Sequence, residues 1–285
     1  MEQEFQLDQS ARWLGSDFVE HSSSSISELI LERVGGRRVY LSPHYDDICF
    51  SLGSFVESHP GGTIINLFTR GDHLAGRPSN GVPEEEEIAR VQGLRRQEDE
   101  AFARSRDLTQ IDLGLDEPMV RGRRSRDHAG LDEDMVQLAA PLMKALGQLA
   151  GEAEGTRSIV FCPAAIGGHT NHLATLNVVL ENLPQLETTF RVLFYEDLPY
   201  ASVEIDRVRD LARLANRLPN RRPKRWVWQL AQTSAQRKLD AIGLYASQFS
   251  APEIDVESRF SPAASLPSCI HEALWDFSPV ERATP

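Results

Sequence analysis

Two rhythms of apolar and polar residues alternate along the middle of this chain. Short apolar runs closed by Pro or Gly read as buried strands, and stretches with apolar residues every three or four positions read as helices. The first run, Arg38-Val39-Tyr40-Leu41-Ser42, stops at Pro43, and a helix over 47–57 follows with Phe50, Leu52 and Phe55 on its core side. Gly61-Gly62 punctuates, and residues 63–69 form a second β-rich run. A loop rich in Gly, Pro and Asn, 71–83, leads into a long charged helix over 84–104 whose first glutamates suit a helix N-terminus. Strand 110–115, helix 132–149, strand 157–162, helix 171–183 and strand 190–195 continue the alternation. Beyond Tyr200 the pattern is helix-rich, with helices over 203–218 and 234–248, while Trp226 and Trp228 are spaced as in a strand.

Strands that alternate with helices of this length predict βαβ units, right-handed crossovers and a mostly parallel sheet. The expected class is therefore α/β: a Rossmann-like three-layer sandwich with a mostly parallel central sheet and a helix-rich C-terminal part. Residues 1–36, including the serine run Ser22 to Ser25, are weakly patterned and read as an N-terminal extension. Residues 37–285 contain neither an internal repeat nor a linker and read as one domain.

Composition narrows the function classes. With 285 residues, 41% apolar and 25% charged, the chain has the make-up of an ordinary globular protein. A net charge of −12 disfavours binding to a phosphate backbone. No run reaches the roughly 18 uncharged apolar residues of a spanning helix, so no membrane role is expected. The acidic N-terminus lacks the basic start and apolar core of a secretory signal. Cys49, Cys162 and Cys269 are too few and scattered for a disulfide framework, which points to the reducing cytoplasm. Any metal site must then rest on His, Asp and Glu.

Two clusters can do such chemistry, and each follows a strand end, where parallel α/β sheets collect their ligands. After the first strand stands Ser42-Pro43-His44-Tyr45-Asp46-Asp47. One of its carboxylates could hold a metal while the other faces water; equally, either could cap the following helix beside a half-buried His44. After the strand ending at Cys162 stands Gly167-Gly168-His169-Thr170-Asn171-His172, two imidazoles entering a helix together. Taken singly, either is as compatible with a loop or core histidine. Taken jointly, His44, Asp47 and His172 would supply three ligands, and three protein ligands plus a water is the pattern of a catalytic zinc site. No Gly-x-Gly-x-x-Gly follows the first strand, which disfavours nucleotide binding. The arginines over 121–126 read as a surface loop that could also meet an anion near the site.

The ordered set of motifs resembles the PIG-L/LmbE-like zinc-dependent N-deacetylases. Pro43-His44-Tyr45-Asp46-Asp47 matches their first motif, and His169-Thr170-Asn171-His172 matches their His-x-Asp-His motif. Arg95-Arg96-Gln97-Glu98-Asp99 is similar to their Arg-x-x-Glu helix, 194–200 to a recurrent bacterial segment, and Lys238, Tyr245, Ser247 and Gln248 to their late Lys…Tyr-x-Ser-Gln helix. The resemblance implies one Zn²⁺ per chain, with other divalent ions acceptable, held by His44, Asp47 and His172. It implies Asp46 as general base and His169 as oxyanion stabiliser or acid; either could protonate the leaving amine. Arg95, Glu98, Asp116 and Asn171 are the residues expected on the substrate side. The implied partner is a small N-acylated molecule, an amino-sugar-like or secondary-metabolite substrate that loses an acyl group, most simply acetyl. Hydrolysis of a larger thiol or sugar conjugate and a repurposed, non-catalytic binding protein are the alternatives. The chain could also form a homo-oligomer. Two departures stand out: Ile48 replaces a Glu, and Asn171 replaces the Asp of the second motif. An Asp at 171 would hold His169 and supply it with negative charge, so with Asn the expectation is a His169 that titrates lower. Weakened or acid-shifted activity, or a changed substrate, would follow without loss of zinc.

Overall fold

The computed structural model describes residues 37–77, 81–151, 157–230, 232–249, 259–263 and 270–279. The expected 1–36 extension, its serine run, Cys269 and residues 78–80 of the Gly/Pro/Asn loop lie outside the described residues. In chain order the elements are β1 (Arg38–Ser42), α1 (Asp47–Ser58), β2 (Gly62–Arg70), α2 (Glu85–Ser105), β3 (Leu108–Asp116), α3 (Leu131–Gly151) and β4 (Ser158–Pro163). Then come α4 (Thr170–Glu181), the one-turn α5 (Leu183–Leu186), β5 (Phe190–Tyr195), α6 (Glu204–Asn216), β6 (Arg221–Gln229), α7 (Gln232–Ile242) and β7 (His271–Pro279). No described helix is long and apolar enough to cross a membrane.

The strands form one sheet in the order β3-β2-β1-β4-β5-β7-β6. The first five pair in parallel, whereas β7 runs antiparallel to both β5 and β6. This is the mostly parallel α/β sheet expected. Its apolar runs are continuous because the central strands are covered on both faces. Val39, Tyr40 and Leu41 of β1 and Val160, Phe161 and Cys162 of β4 are all 0% exposed. Each fully buried aliphatic or aromatic side chain contributes roughly 1.5–3 kcal/mol.

The chain steps from β1 outward to β2 and β3, then returns to β4 on the other side of β1. Right-handed crossovers therefore set α1 and α2 on one face and α3 and α4 on the other. The order reverses between β1 and β4, and there the two following turns diverge and leave a crevice.

Two differences from the sequence reading lie in the C-terminal part. The helices are joined by the antiparallel strands β6 and β7, of which only the Trp226/Trp228 spacing gave a sign. The helix expected over 234–248 ends at Ile242. Gly243 follows, and the next residues turn because their side chains are claimed elsewhere: the Tyr245 hydroxyl donates to Asp99 (2.6 Å) and Ser247 to Glu98 (2.6 Å).

Candidate active site

The β1–α1 turn is built by short-range constraints. Ser42 Oγ donates to the His44 carbonyl, and the Pro43 carbonyl accepts from the Phe68 N–H at 2.9 Å. The His44 N–H donates to Asp47 Oδ2 at 2.7 Å, which folds that carboxylate back over the turn. Asp46 occupies the position before α1 yet makes no capping hydrogen bond with its side chain. The capping alternative is thus not what occupies Asp46. Asp47 Oδ2 also lies 3.3 Å from His44 Nδ1, and Asp47 Oδ1 lies 3.3 Å from His172 Nε2. One carboxylate bridges two imidazoles from opposite halves of the chain.

The β4–α4 turn needs its glycines. Gly167 has φ +87°, and a Cβ there would stand 2.6 Å from Tyr200 Cγ. The Gly167 N–H donates to Asp210 (2.9 Å) and the Ile166 N–H to Asp197 (3.0 Å), so two buried carboxylates hold the loop. His169 caps α4: its Nδ1 accepts from the Asn171 N–H at 3.3 Å. That bond leaves Nε2 as the N–H of a neutral ring. Inside α4, His172 Nδ1 donates to Asp197 Oδ1 at 2.7 Å, which fixes the ring and leaves Nε2 facing Asp47.

Charge is arranged around this cluster in a consistent sense. Burial pushes Asp46 above the usual carboxylate range, the adjacent Asp47 adds to it, and Arg95 only partly offsets it at 3.9 Å. Burial alone would raise Asp47 too, but His172 and His44 hold it well below the ordinary value. His172 moves up to about 10: burial opposes this, and the carboxylates of Asp47 and Asp197 outweigh burial. His169 falls well below 6.5 through burial and then through the neighbouring His44 and His172.

A cavity of about 410 Å³ opens over His44, Asp46, Asp47 and His169, with Phe50, Tyr200, Phe249 and Gln248 in its walls. Arg95, wholly buried on α2, reaches its side and pairs with Glu117 at 2.6 Å.

The residues expected from the sequence therefore divide. His44, Asp46, Asp47, His169 and His172 converge, and Arg95 lines the cavity. Asn171 is near but plays another part: its amide Nδ2 lies 3.0 Å from His44 Nε2, and only its backbone meets His169. His169 is low, as expected: burial and two imidazoles depress it, and the Asn171 amide, aimed at His44, supplies no negative charge. Glu98 does not reach the cavity; it accepts from the Ser247 N–H (2.8 Å) and hydroxyl. Asp116 is turned away to Arg70, at 2.7 Å. Of the 121–126 arginines, Arg121 and Arg123 are taken up by buried Asp134, and Arg126 lies over the Tyr200 ring. Asp197 and Glu117 went unrecognised as site residues. Each is a carboxylate just beyond a parallel strand, the one signal that could have singled them out.

The site can hold a cation. His172 Nε2 is fully buried and has no hydrogen-bond partner. It faces a carboxylate, and its other nitrogen is fixed by a second carboxylate, the arrangement typical of a metal-ligating histidine. His44 offers a further nitrogen beside the same carboxylate. Two carboxylates that stabilise a proton on His172 would stabilise a metal cation in its place. The donor set of imidazole and carboxylate suits zinc and several other divalent ions.

Comparison with known proteins sets this geometry in context. No protein-family model matches the chain. The 2'-N-acetylparomamine deacetylase of Streptomyces fradiae is 31% identical over 189 residues, an alignment that covers 60% of this chain and 62% of that protein. The chain thus spans less than two thirds of the length of the Streptomyces relative it matches. A deacetylase from the teicoplanin biosynthesis pathway, solved in complex with teicoplanin, superposes with a TM-score of 0.60 at 19% identity, over 86% of this chain and 100% of that one. A zinc-inhibited form of teicoplanin deacetylase superposes at 0.58, with 18% identity over 87% of this chain and 100% of that one. These structural likenesses show a shared fold, and the Streptomyces relative shows that the likeness extends to sequence.

Proposed function

We propose that the protein is a metal-dependent N-deacetylase that removes an acetyl group from the amine of an amino-sugar-like secondary metabolite. One observation carries the reading: Asp47 bridges His44 Nδ1 and the fully buried His172 Nε2, each at 3.3 Å, beneath a cavity lined by His44, Asp46 and Asp47. The named activities of the similar proteins point to the same reaction class.

His44, Asp47 and His172 would hold the ion, with Asp197 fixing the His172 ring from behind. When bound, a metal ion lowers the pKa of water and polarises an amide carbonyl. Asp46 is the general base: a carboxylate with a raised proton affinity accepts the proton of the attacking water more readily than an ordinary one. The same carboxyl, now protonated, returns that proton to the leaving amine. His169 acts as a neutral donor. Its Nδ1 is occupied by the Asn171 N–H, so its Nε2–H is the atom that can meet the carbonyl oxygen as negative charge grows there. A low proton affinity suits that role, because a neutral imidazole donates without first having to take up a proton. Arg95, braced by Glu117, keeps positive charge near Asp46 and shapes the adjoining wall.

The test is acetate release from a panel of N-acetylated amino sugars, aminoglycosides and glycopeptides, with metal content measured on the same samples. Asp46→Asn is expected to lower kcat by about 10²–10⁴-fold while metal content stays unchanged. Bound metal and tight ligand binding without acetate from any member of the panel would favour the repurposed binding protein and sink the hydrolase.

A further inference from the structure

Asn171 is wholly buried, and its backbone is fully engaged. Its N–H serves His169, and its carbonyl accepts from Thr175 Oγ1 at 2.7 Å. Its side chain crosses from α4 to the β1–α1 turn, where Nδ2 lies 3.0 Å from His44 Nε2. The other amide atom, Oδ1, has no hydrogen-bond partner despite its burial. Leaving such a buried acceptor unpaired is destabilising. An amide held in this way has an unused capability.

A neutral imidazole carries a single N–H. When Asn171 Nδ2–H donates to His44 Nε2, the ring proton sits on Nδ1 and points at Asp47 Oδ2, 3.3 Å away. In that tautomer His44 has no lone pair left for a cation. To free Nδ1, the proton must leave it and a proton must arrive at Nε2 from solvent, with no net release. The new Nε2–H then requires an acceptor opposite. Half a revolution of the Asn171 amide puts Oδ1 there. A carboxylate in the same place could only accept, so it would hold the Nε2–H tautomer whether or not a cation were present.

We propose that Asn171 is the positioning residue of His44, an amide that pairs with either ring tautomer and reverses when the metal is taken up. In the metal-free turn both His44 ring nitrogens are thereby engaged, by Asn171 and Asp47, and the ion must displace that arrangement to bind. This rests on the reading of His44 as a ligand. Asn171 thus adjusts how tightly the ion is held, with no contact to the substrate.

The experiment uses the full chain. Long-range proton–nitrogen spectra of ¹⁵N-histidine-labelled protein report the His44 tautomer, and zinc affinity is measured by competition with a chromophoric chelator. Wild-type His44 is expected to carry its proton on Nδ1 without zinc and on Nε2 with it. Asn171→Asp is expected to show the Nε2–H form in both states and to bind zinc about 10–100-fold more tightly, with Asn171→Leu weaker than wild type. If Asn171→Asp does not fold, the wild-type tautomer change and Asn171→Leu still decide the matter. The same tautomer in both wild-type states, or Asn171→Asp affinity within about threefold of wild type, overturns the proposal. His44→Ala separates the two levels. Zinc binding that survives His44→Ala defeats the ligand reading itself, whereas His44-dependent binding with an unchanged tautomer defeats only the role of Asn171.

Discussion

Asp99 shows how a single buried carboxylate couples this fold to pH. It is 0% exposed and accepts from Tyr245 Oη (2.6 Å), Asn66 Nδ2 (2.8 Å) and the Gln110 amide. Burial outweighs these donors and lifts its pKa to about 7. The folded state therefore binds the Asp99 proton more tightly than the unfolded chain does. That contribution to stability is complete below the unfolded value near 4 and is lost as pH rises to about 7. From pH 5 to 8, Asp99 should remove on the order of 2–4 kcal/mol of stability, and Asp99→Asn should abolish that part of the slope. Urea titrations of both proteins at the two pH values check this. An equal pH dependence in wild type and variant would contradict it.

At the scale of elements, α2 does more than cover the sheet. Three of its residues act in succession: Arg95 beside the cavity, Glu98 on Ser247 and Asp99 on Tyr245. Through them α2 holds the turn that follows α7. The Ala75 N–H donates to the Ser247 carbonyl at 2.7 Å, which ties in the loop after β2 as well. Gln248 and Phe249, at the end of this turn, form part of the cavity wall. Releasing Glu98 should therefore loosen the wall and leave the reacting groups in place. In Glu98→Ala, KM for the acetylated substrate is expected to rise about three- to tenfold with kcat nearly unchanged, the signature of lost uniform binding. Steady-state kinetics decide the point, and a fall in kcat at constant KM would place Glu98 in the chemical step instead. Helical periodicity could not reveal this arrangement. It extends a helix through Tyr245 and Ser247, whereas the hydrogen bonds of those two side chains to α2 bend the chain away at Gly243.

Across the whole molecule, the sheet order makes a single site from two distant turns. β1 and β4 are neighbours, so the turns after them face each other across the point where the order reverses. A metal held by both turns is then a cross-link that exists only in the folded state. At free zinc about 100 times its Kd the ion should add about 2.7 kcal/mol, and its removal should lower Tm by roughly 5–10 °C. Calorimetry before and after chelation, with metal content verified, tests this, and an unchanged Tm would mean that the ion does not join the turns.

Much of this was open to reading in the sequence, for a local reason. Apolar runs such as 38–42 and 157–162 must be buried on both faces, and Pro43, Pro163, Gly167 and Gly168 end or bend the chain where they stand. Those constraints act within a few residues, so strands, turns and the chemical types of His44, Asp46, Asp47, His169 and His172 follow from order alone. What depends on separate segments packing together does not. Only the tertiary structure paired Asp47 with His172, set Asp197 behind that ring, turned Asp116 and Glu98 away from the cavity and aimed the Asn171 amide at His44. It alone slotted β7 antiparallel between β5 and β6. A side chain's partner is chosen by which surfaces come into register in space, and no periodicity along the chain encodes that choice.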